Sequence, residues 1–166
     1  LSPRDPISQS GLTFHRAPKP LPENAITEDW MDFLGPTHNA ISRDTGLLSQ
    51  FGENGPNIVW EVKKGEGYAA PAVIEERLIL FHRQDDTEVV ECLHTETGQC
   101  FWKQNYPSEY RDRYGFGNGP RCQPISDGEF VYTLGVEAIF SCWEIVSGQL
   151  LWQRDLKADF DLTVDF

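Results

Sequence analysis

A twelve-residue stretch occurs twice in this chain, and nothing else in the sequence limits the possible folds so sharply. Glu91-Cys92-Leu93-His94-Thr95-Glu96-Thr97-Gly98-Gln99-Cys100-Phe101-Trp102 lies over Ser141-Cys142-Trp143-Glu144-Ile145-Val146-Ser147-Gly148-Gln149-Leu150-Leu151-Trp152. Cys, Gly, Gln and Trp recur unchanged, and Thr97 matches Ser147. Upstream, Pro71 lies over Pro124, and Ile79-Leu80-Phe81 over Tyr132-Thr133-Leu134. A third copy of the ending stands at Asn57-Ile58-Val59-Trp60-Glu61. Trp60 and Trp102 are 42 residues apart, Trp102 and Trp152 are 50 apart, and the added length falls in the loop Tyr106 to Pro120. A repeat of this length is one supersecondary unit that cannot bury its apolar surface alone and must stack on its neighbours.

Within each unit, short runs rich in Val, Ile, Leu and aromatics alternate with turns. Residues 70–74, 77–82, 88–93 and 99–104 read as four strands of a meander, with turns at Glu75-Glu76, Arg83 to Thr87 and Thr95 to Gly98. Four strands per unit at this period predict an all-β chain, a β-propeller of four-stranded antiparallel blades. Two full blades and one extra outer strand are present, so the ring is incomplete. In this reading the Trp at the end of each outer strand packs across the gap to the next blade. The Gly before it takes a left-handed conformation in the hairpin. The expected divisions are an extended or disordered lead-in over 1–28, an N-terminal cap segment and loop over 29–56, and blades over 57–166. The blade region comprises an outer strand at 57–62, a first full blade at 68–104, a second at 121–155, and a truncated remainder. The aromatics of Trp30 to Pro36 could staple the lead-in to the larger body. The partners of strand 57–62 are expected beyond the C-terminus, as in a ring sewn shut by its first strand. With no initiator Met or signal peptide, and an end in mid-pattern, the chain reads as an N-terminal fragment.

Charge narrows the function classes. The chain carries 26 Asp+Glu against 14 Lys+Arg, a net charge of -12. That argues against a binder of nucleic-acid phosphates, which needs a basic patch. The longest apolar runs, such as Ala69 to Ile74, are far too short to cross a bilayer, so no transmembrane segment is expected.

The unit ending resembles the PQQ-type (pyrroloquinoline-quinone-like) propeller repeat, roughly Ala-x-Asp-x-x-Thr-Gly-x-x-x-Trp. It stands here as Thr97-Gly98 with Trp102 and Ser147-Gly148 with Trp152, Trp60 marking the extra strand. His94 and Glu144 occupy the Asp position, which should weaken the local turn bond. Trp30-Met31-Asp32-Phe33-Leu34-Gly35-Pro36 resembles a lead-in found before such propellers in some bacterial exported proteins, with Leu34 in place of an Arg. The resemblance covers about residues 30 to 157. It implies a periplasmic or otherwise exported protein. One group it resembles is the outer-membrane assembly lipoprotein propellers, which are non-enzymatic scaffolds. Another is the quinone-dependent alcohol dehydrogenases, which use PQQ with calcium, a vicinal Cys pair and a catalytic Asp; no adjacent cysteines occur here.

No catalytic, cofactor or metal set is legible. Cys92, Cys100, Cys122 and Cys142 lack zinc-type spacing and read as small strand residues, the sharper alternative being a cross-strand Cys92–Cys100 disulfide. His15, His38, His82 and His94 are scattered and read as surface or turn residues. Asp159, Asp161 and Asp165 lack the Gly and Glu of a calcium loop and read as a solvated linker. Gly115 to Pro120 lacks the third Gly and the following helix of a dinucleotide motif and reads as a flexible inter-blade turn. The inter-blade loop is different. Tyr106, Tyr110, Arg111, Arg113, Tyr114, Phe116 and Arg121 cluster there, and Arg and Tyr are enriched at binding hot spots. Tyr110, Arg111, Arg113, Tyr114 and Arg121 form the candidate binding face; the competing reading is that these arginines pair with acids to tether the loop.

The expected function is therefore a non-enzymatic scaffold that binds another protein or a polymer and holds no cofactor. A PQQ- and calcium-dependent dehydrogenase whose active site lies in missing blades, and a sensor propeller fused to a signalling domain, are the alternatives.

Overall fold

The protein is described by a computed structural model over residues 11–162. It is an all-β arrangement of antiparallel sheets. A two-stranded ribbon pairs β1 (Leu12–Phe14) with β2 (Trp60–Val62). A first four-stranded sheet runs in sequence order through β3 (Ala72–Ile74), β4 (Arg77–Gln84), β5 (Thr87–His94) and β6 (Cys100–Pro107). A second runs through β7 (Ile125–Ser126), β8 (Phe130–Leu134), β9 (Ile139–Glu144) and β10 (Leu150–Asp155). One short helix, α1 (Leu156–Phe160), follows, capped by Asp155 Oδ1 accepting from Lys157 N at 3.0 Å and Ala158 N at 3.2 Å. Among the described residues no helix is long and apolar enough to cross a membrane.

The register shows that the two sheets are copies. Ile79 lies opposite Cys92, and Cys92 opposite Trp102; Tyr132 lies opposite Cys142, and Cys142 opposite Trp152. Each last strand is irregular at the same place, just before its Trp. The hairpins agree bond for bond. Gly98 N donates to His94 O and Gly148 N to Glu144 O, both at 2.8 Å, while His94 N and Glu144 N reach the carbonyls of Gln99 and Gln149. Gly98 (φ +72) and Gly148 (φ +70) are left-handed, as a three-to-five-residue hairpin with a bulge requires. The expected weakening at the Asp position does not hold for Glu144: its Oε2 accepts from Ser147 N at 2.5 Å, the longer side chain reaching the same donor.

Strand periodicity of two explains the burial. Ile79, Phe81, Val90, Cys92 and Trp102 point to one face of the first sheet and pack with Val131, Trp143 and Ile145 of the second. Leu80, Leu93 and Cys100 point to the other face and pack with Trp60 and Val62 of the ribbon. The first sheet is thus covered on both sides, and β4 and β5 are buried almost throughout. β10, on which no further sheet stacks among the described residues, is exposed along its whole length.

Four expectations need correction. Strand 57–62 is shorter, Trp60–Val62, and its partner comes from the lead-in, where Leu12, Thr13 and Phe14 lie opposite Val62, Glu61 and Trp60. A lone strand edge carries unpaired backbone groups, and the nearest chain able to pair with it lay upstream. The first ten residues of the lead-in lie outside the described residues. Cys92 and Cys100 do not face each other: Trp102 lies opposite Cys92, Leu93 opposite Cys100, and all four cysteines are free. The two point to opposite faces of the sheet, Cys92 into the inter-sheet core and Cys100 toward the ribbon. His82 is not a surface residue; it is fully buried on β4, Nδ1 accepting from Gly65 N at 2.9 Å and Nε2 lying 3.5 Å from Glu91. Tyr106 also leaves the loop cluster, for it sits on β6 in the inter-sheet core.

The cap segment is tied to both sheets through its backbone, while its aromatics do not staple the lead-in: the Trp30 ring lies on Gly35 and Phe33 is exposed. Trp30 exchanges two hydrogen bonds with Val73 on β3, at 2.8 and 3.0 Å, and Met31 O accepts from Ser126 N on β7 at 3.0 Å.

Candidate interaction face

Residues 108–124 join the two sheets and meet the segment 63–71, the β4–β5 turn and the β8–β9 turn at one end of the molecule. Ser108 N donates to Asp86 O at 2.9 Å, Glu109 N to Glu137 Oε2 at 2.9 Å, and Tyr68 N to Pro120 O at 2.8 Å. These contacts hold a long irregular loop in one place.

The anchor is Arg83, whose side chain is only 2% exposed. Its Nε donates to Asp85 O (2.7 Å). Nη1 donates to Ser108 Oγ (3.1 Å), Tyr110 O (3.1 Å) and Asn118 O (3.2 Å), and Nη2 to Ser108 O (2.8 Å) and Asp86 Oδ1 (3.4 Å). A planar guanidinium with five donors can collect carbonyls from both ends of a loop, which a point-charge ammonium cannot. Sequence reasoning placed Arg83 in a polar turn. It lies on β4, two positions after Phe81 and on the same inward face, and that alternation was the one available signal.

Asp112 is the second tie. Its buried carboxylate accepts from Phe116 N through Oδ2, lies 3.8 Å from Arg121 and 3.5 Å from the Tyr110 hydroxyl, and its own N–H donates to Asn118 Oδ1 at 2.9 Å. Asn118 donates in turn to Glu66 Oε2, from N at 3.0 Å and Nδ2 at 3.3 Å. Tyr68 donates its hydroxyl to Phe116 O. Between 65–68 and 112–118 lies an open cleft of about 480 Å³.

The predicted face residues are brought together here, and two of the arginines are seen in ion pairs. Arg111 pairs with Asp86 at 2.7 Å and Arg121 with Asp112, which is the tethering role. Arg121 also lies over the Tyr110 ring at 5.8 Å, and Arg113 over Tyr114 at 5.7 Å. Tyr114 and Phe116 stand out into solvent with ring centroids 6.3 Å apart. Glu66 and Tyr68, which complete the cleft, escaped sequence reasoning because they come from a segment some fifty positions away and carry no motif.

The repeat motif residues form a second, purely structural set. The indole of Trp60 lies on Gly98 and donates to Thr95 O at 2.8 Å; that of Trp102 lies on Gly148 and donates to Ile145 O at 2.9 Å. Each sheet therefore closes on the hairpin of the next by the same device. Trp152 has no such hairpin among the described residues; it is 40% exposed and leans on Phe140 (5.2 Å) and Tyr132 (6.2 Å).

Among the described residues no group of His, Cys, Asp and Glu is arranged to hold a metal ion. Burial pushes the Cys92 thiol up to about 12 and the Cys100 thiol to about 11, so neither is a nucleophile near neutral pH. No protein-family model matches the chain, and no curated protein does.

Proposed function

We propose that the chain builds blades of a β-propeller of PQQ-type repeats that serves as an exported, periplasmic, non-enzymatic scaffold for another protein. The repeated closure of Trp60 on Gly98 and Trp102 on Gly148 carries this reading. A device that links each sheet to its successor and leaves Trp152 ready for another hairpin is what stacking around an axis requires. The contact surface is the loop face, where Arg111, Arg113, Tyr114 and Arg121 stand on a loop tied down by Arg83. Little ordering entropy remains to be lost there on binding.

The test is chemical cross-linking and pull-down from the native host with the intact protein and an Arg111→Ala/Arg113→Ala/Tyr114→Ala variant. A specific partner recovered by the former and lost with the latter is expected. Saturable binding of pyrroloquinoline quinone with calcium, accompanied by alcohol-dependent dye reduction, would overturn the scaffold reading.

A further inference from the structure

We infer that Glu88 is a pH-sensitive switch for the loop between the two sheets: once ionised, its carboxylate draws the Arg83 guanidinium off the loop carbonyls and loosens residues 108–118. This goes beyond the scaffold reading and does not depend on it, because it concerns the order of the loop and not what binds there.

The strand register assembles the switch. Glu88 on β5 lies opposite Arg83 on β4 and opposite Tyr106 on β6. Residues opposite each other in an antiparallel pair share a face, with Cβ atoms ~5 Å apart. Arg83, Glu88 and Tyr106 therefore form one buried row across three strands, on the face turned toward the second sheet. Arg83 and Glu88 nevertheless do not pair. All six bonds of the guanidinium go to the β4–β5 turn and the loop. Glu88 turns instead to the β8–β9 turn, where Oε1 accepts from Val136 N at 3.1 Å. Its Oε2 and the Tyr106 hydroxyl lie against Gly135, and a side chain at that position would strike both.

The titratable and charged groups facing Glu88 are Arg83 from β4, Tyr106 from β6 and Glu137 from the β8–β9 turn. Glu137 lies 3.7 Å from Lys157 of α1, and Asp86 shares Arg83 at 3.4 Å from an exposed position. Burial raises the Glu88 pKa; the Val136 N–H, Tyr106 and Arg83 oppose the rise, and Glu137 adds to it. The neutral carboxyl makes no demand on Arg83. The ionised one is a buried anion with a single cation opposite it. A charge-assisted bond to that anion outweighs the bonds the guanidinium makes to neutral carbonyls. Donors turned toward Glu88 are withdrawn from Ser108, Tyr110 and Asn118, whose carbonyls hold the loop. Loop order is thus present while Glu88 keeps its proton and is lost as pH rises through the folded pKa.

The test measures ¹⁵N order parameters of the full chain from about pH 4 to about pH 8. Values across 108–118 should fall from about 0.85 to below about 0.6, while Gly98 in the first-sheet hairpin stays rigid. Glu88→Gln, neutral throughout, should keep the loop rigid at both ends of the range, and Arg83→Met should leave it loose at both. In the parent, the Glu88 carboxyl carbon and the Arg83 Nε–H resonance should shift together with one midpoint; this pair of signals needs no variant should a substitution prevent folding. The inference is overturned if loop order does not change with pH, if Glu88→Gln retains the change, or if Gly98 loosens in step with the loop. It is equally overturned if the Arg83 Nε–H resonance stays fixed while the Glu88 carboxyl titrates.

Discussion

Arg83 concentrates on one side chain the problem of holding an irregular loop against a sheet. Of the six hydrogen bonds from its buried guanidinium, four satisfy carbonyls of Asp85, Ser108, Tyr110 and Asn118 that would otherwise be buried bare, and two reach Ser108 Oγ and Asp86 Oδ1. Arg83→Met should therefore cost on the order of 3 kcal/mol or more in urea unfolding, since each stranded acceptor costs ~1–3 kcal/mol. Arg83→Lys should recover only part, and amide exchange across 108–118 should quicken in both. Glu88 is the opposite case. It is fully buried; Oε1 accepts from Val136 N at 3.1 Å, while Oε2 and the Tyr106 hydroxyl, both beside Gly135, make no well-formed hydrogen bond among the described residues. Burial raises its pKa; the Val136 and Tyr106 groups and Arg83 oppose the rise, while Glu137 adds to it. A carboxyl whose folded pKa is raised holds its proton in the native state after the unfolded chain has lost it. Stability then falls as pH rises from the ordinary carboxylate value through the folded value. Glu88→Gln should accordingly gain stability relative to the parent on going from about pH 4 to about pH 8, read as the difference in urea midpoints. Cysteine reactivity offers a simple check of packing at the same scale. Cys92, Cys100 and Cys142 are buried and Cys122 is exposed, so a thiol reagent should titrate one group in the native protein and all four after unfolding.

At the scale of elements, the hairpin and the outer-strand Trp act as a pair. Gly148 needs its glycine twice over: its φ is +70, and an added Cβ would overlap the Trp102 indole. Gly148→Ala should cost roughly 2–4 kcal/mol, backbone strain and overpacking together. Gly128 also has a positive φ, +95, but nothing lies within 4 Å of its would-be Cβ. Gly128→Ala should therefore cost only about 1 kcal/mol, and the difference between the two midpoints isolates the contact with Trp102. The hairpin also shows how much of the side-chain pattern is interchangeable. His94 and Glu144 occupy equivalent positions with different chemistry, yet the backbone bonds around them are the same. The left-handed glycine, the Gln after it and the opposing indole recur without change.

For the molecule as a whole, coverage decides exposure. Among the described residues the first sheet lies between two neighbours and buries both faces, while the second has a neighbour on one side and leaves Leu150, Leu151 and Trp152 in water on an open edge strand. Such an edge invites pairing. This chain should self-associate with concentration in sedimentation velocity, and Trp152→Lys should suppress it without lowering the unfolding midpoint. From the sequence came the four-strand meander of the first sheet, the equivalence of the two sheets and the positions of Gly98, Gly148 and the three tryptophans, but not β1. These follow from a period of two within strands and from a repeat written twice, both local or self-similar properties. Tertiary structure alone decided the partner of Trp60–Val62, the burial of His82, Arg83, Glu88 and Tyr106, the separation of Cys92 from Cys100, and the joining of Glu66 and Tyr68 to Asn118. Each depends on which chain segment happens to cover a strand face or meet a loop some fifty positions away. No local pattern records that, because a backbone carbonyl accepts from whatever donor packing brings within reach.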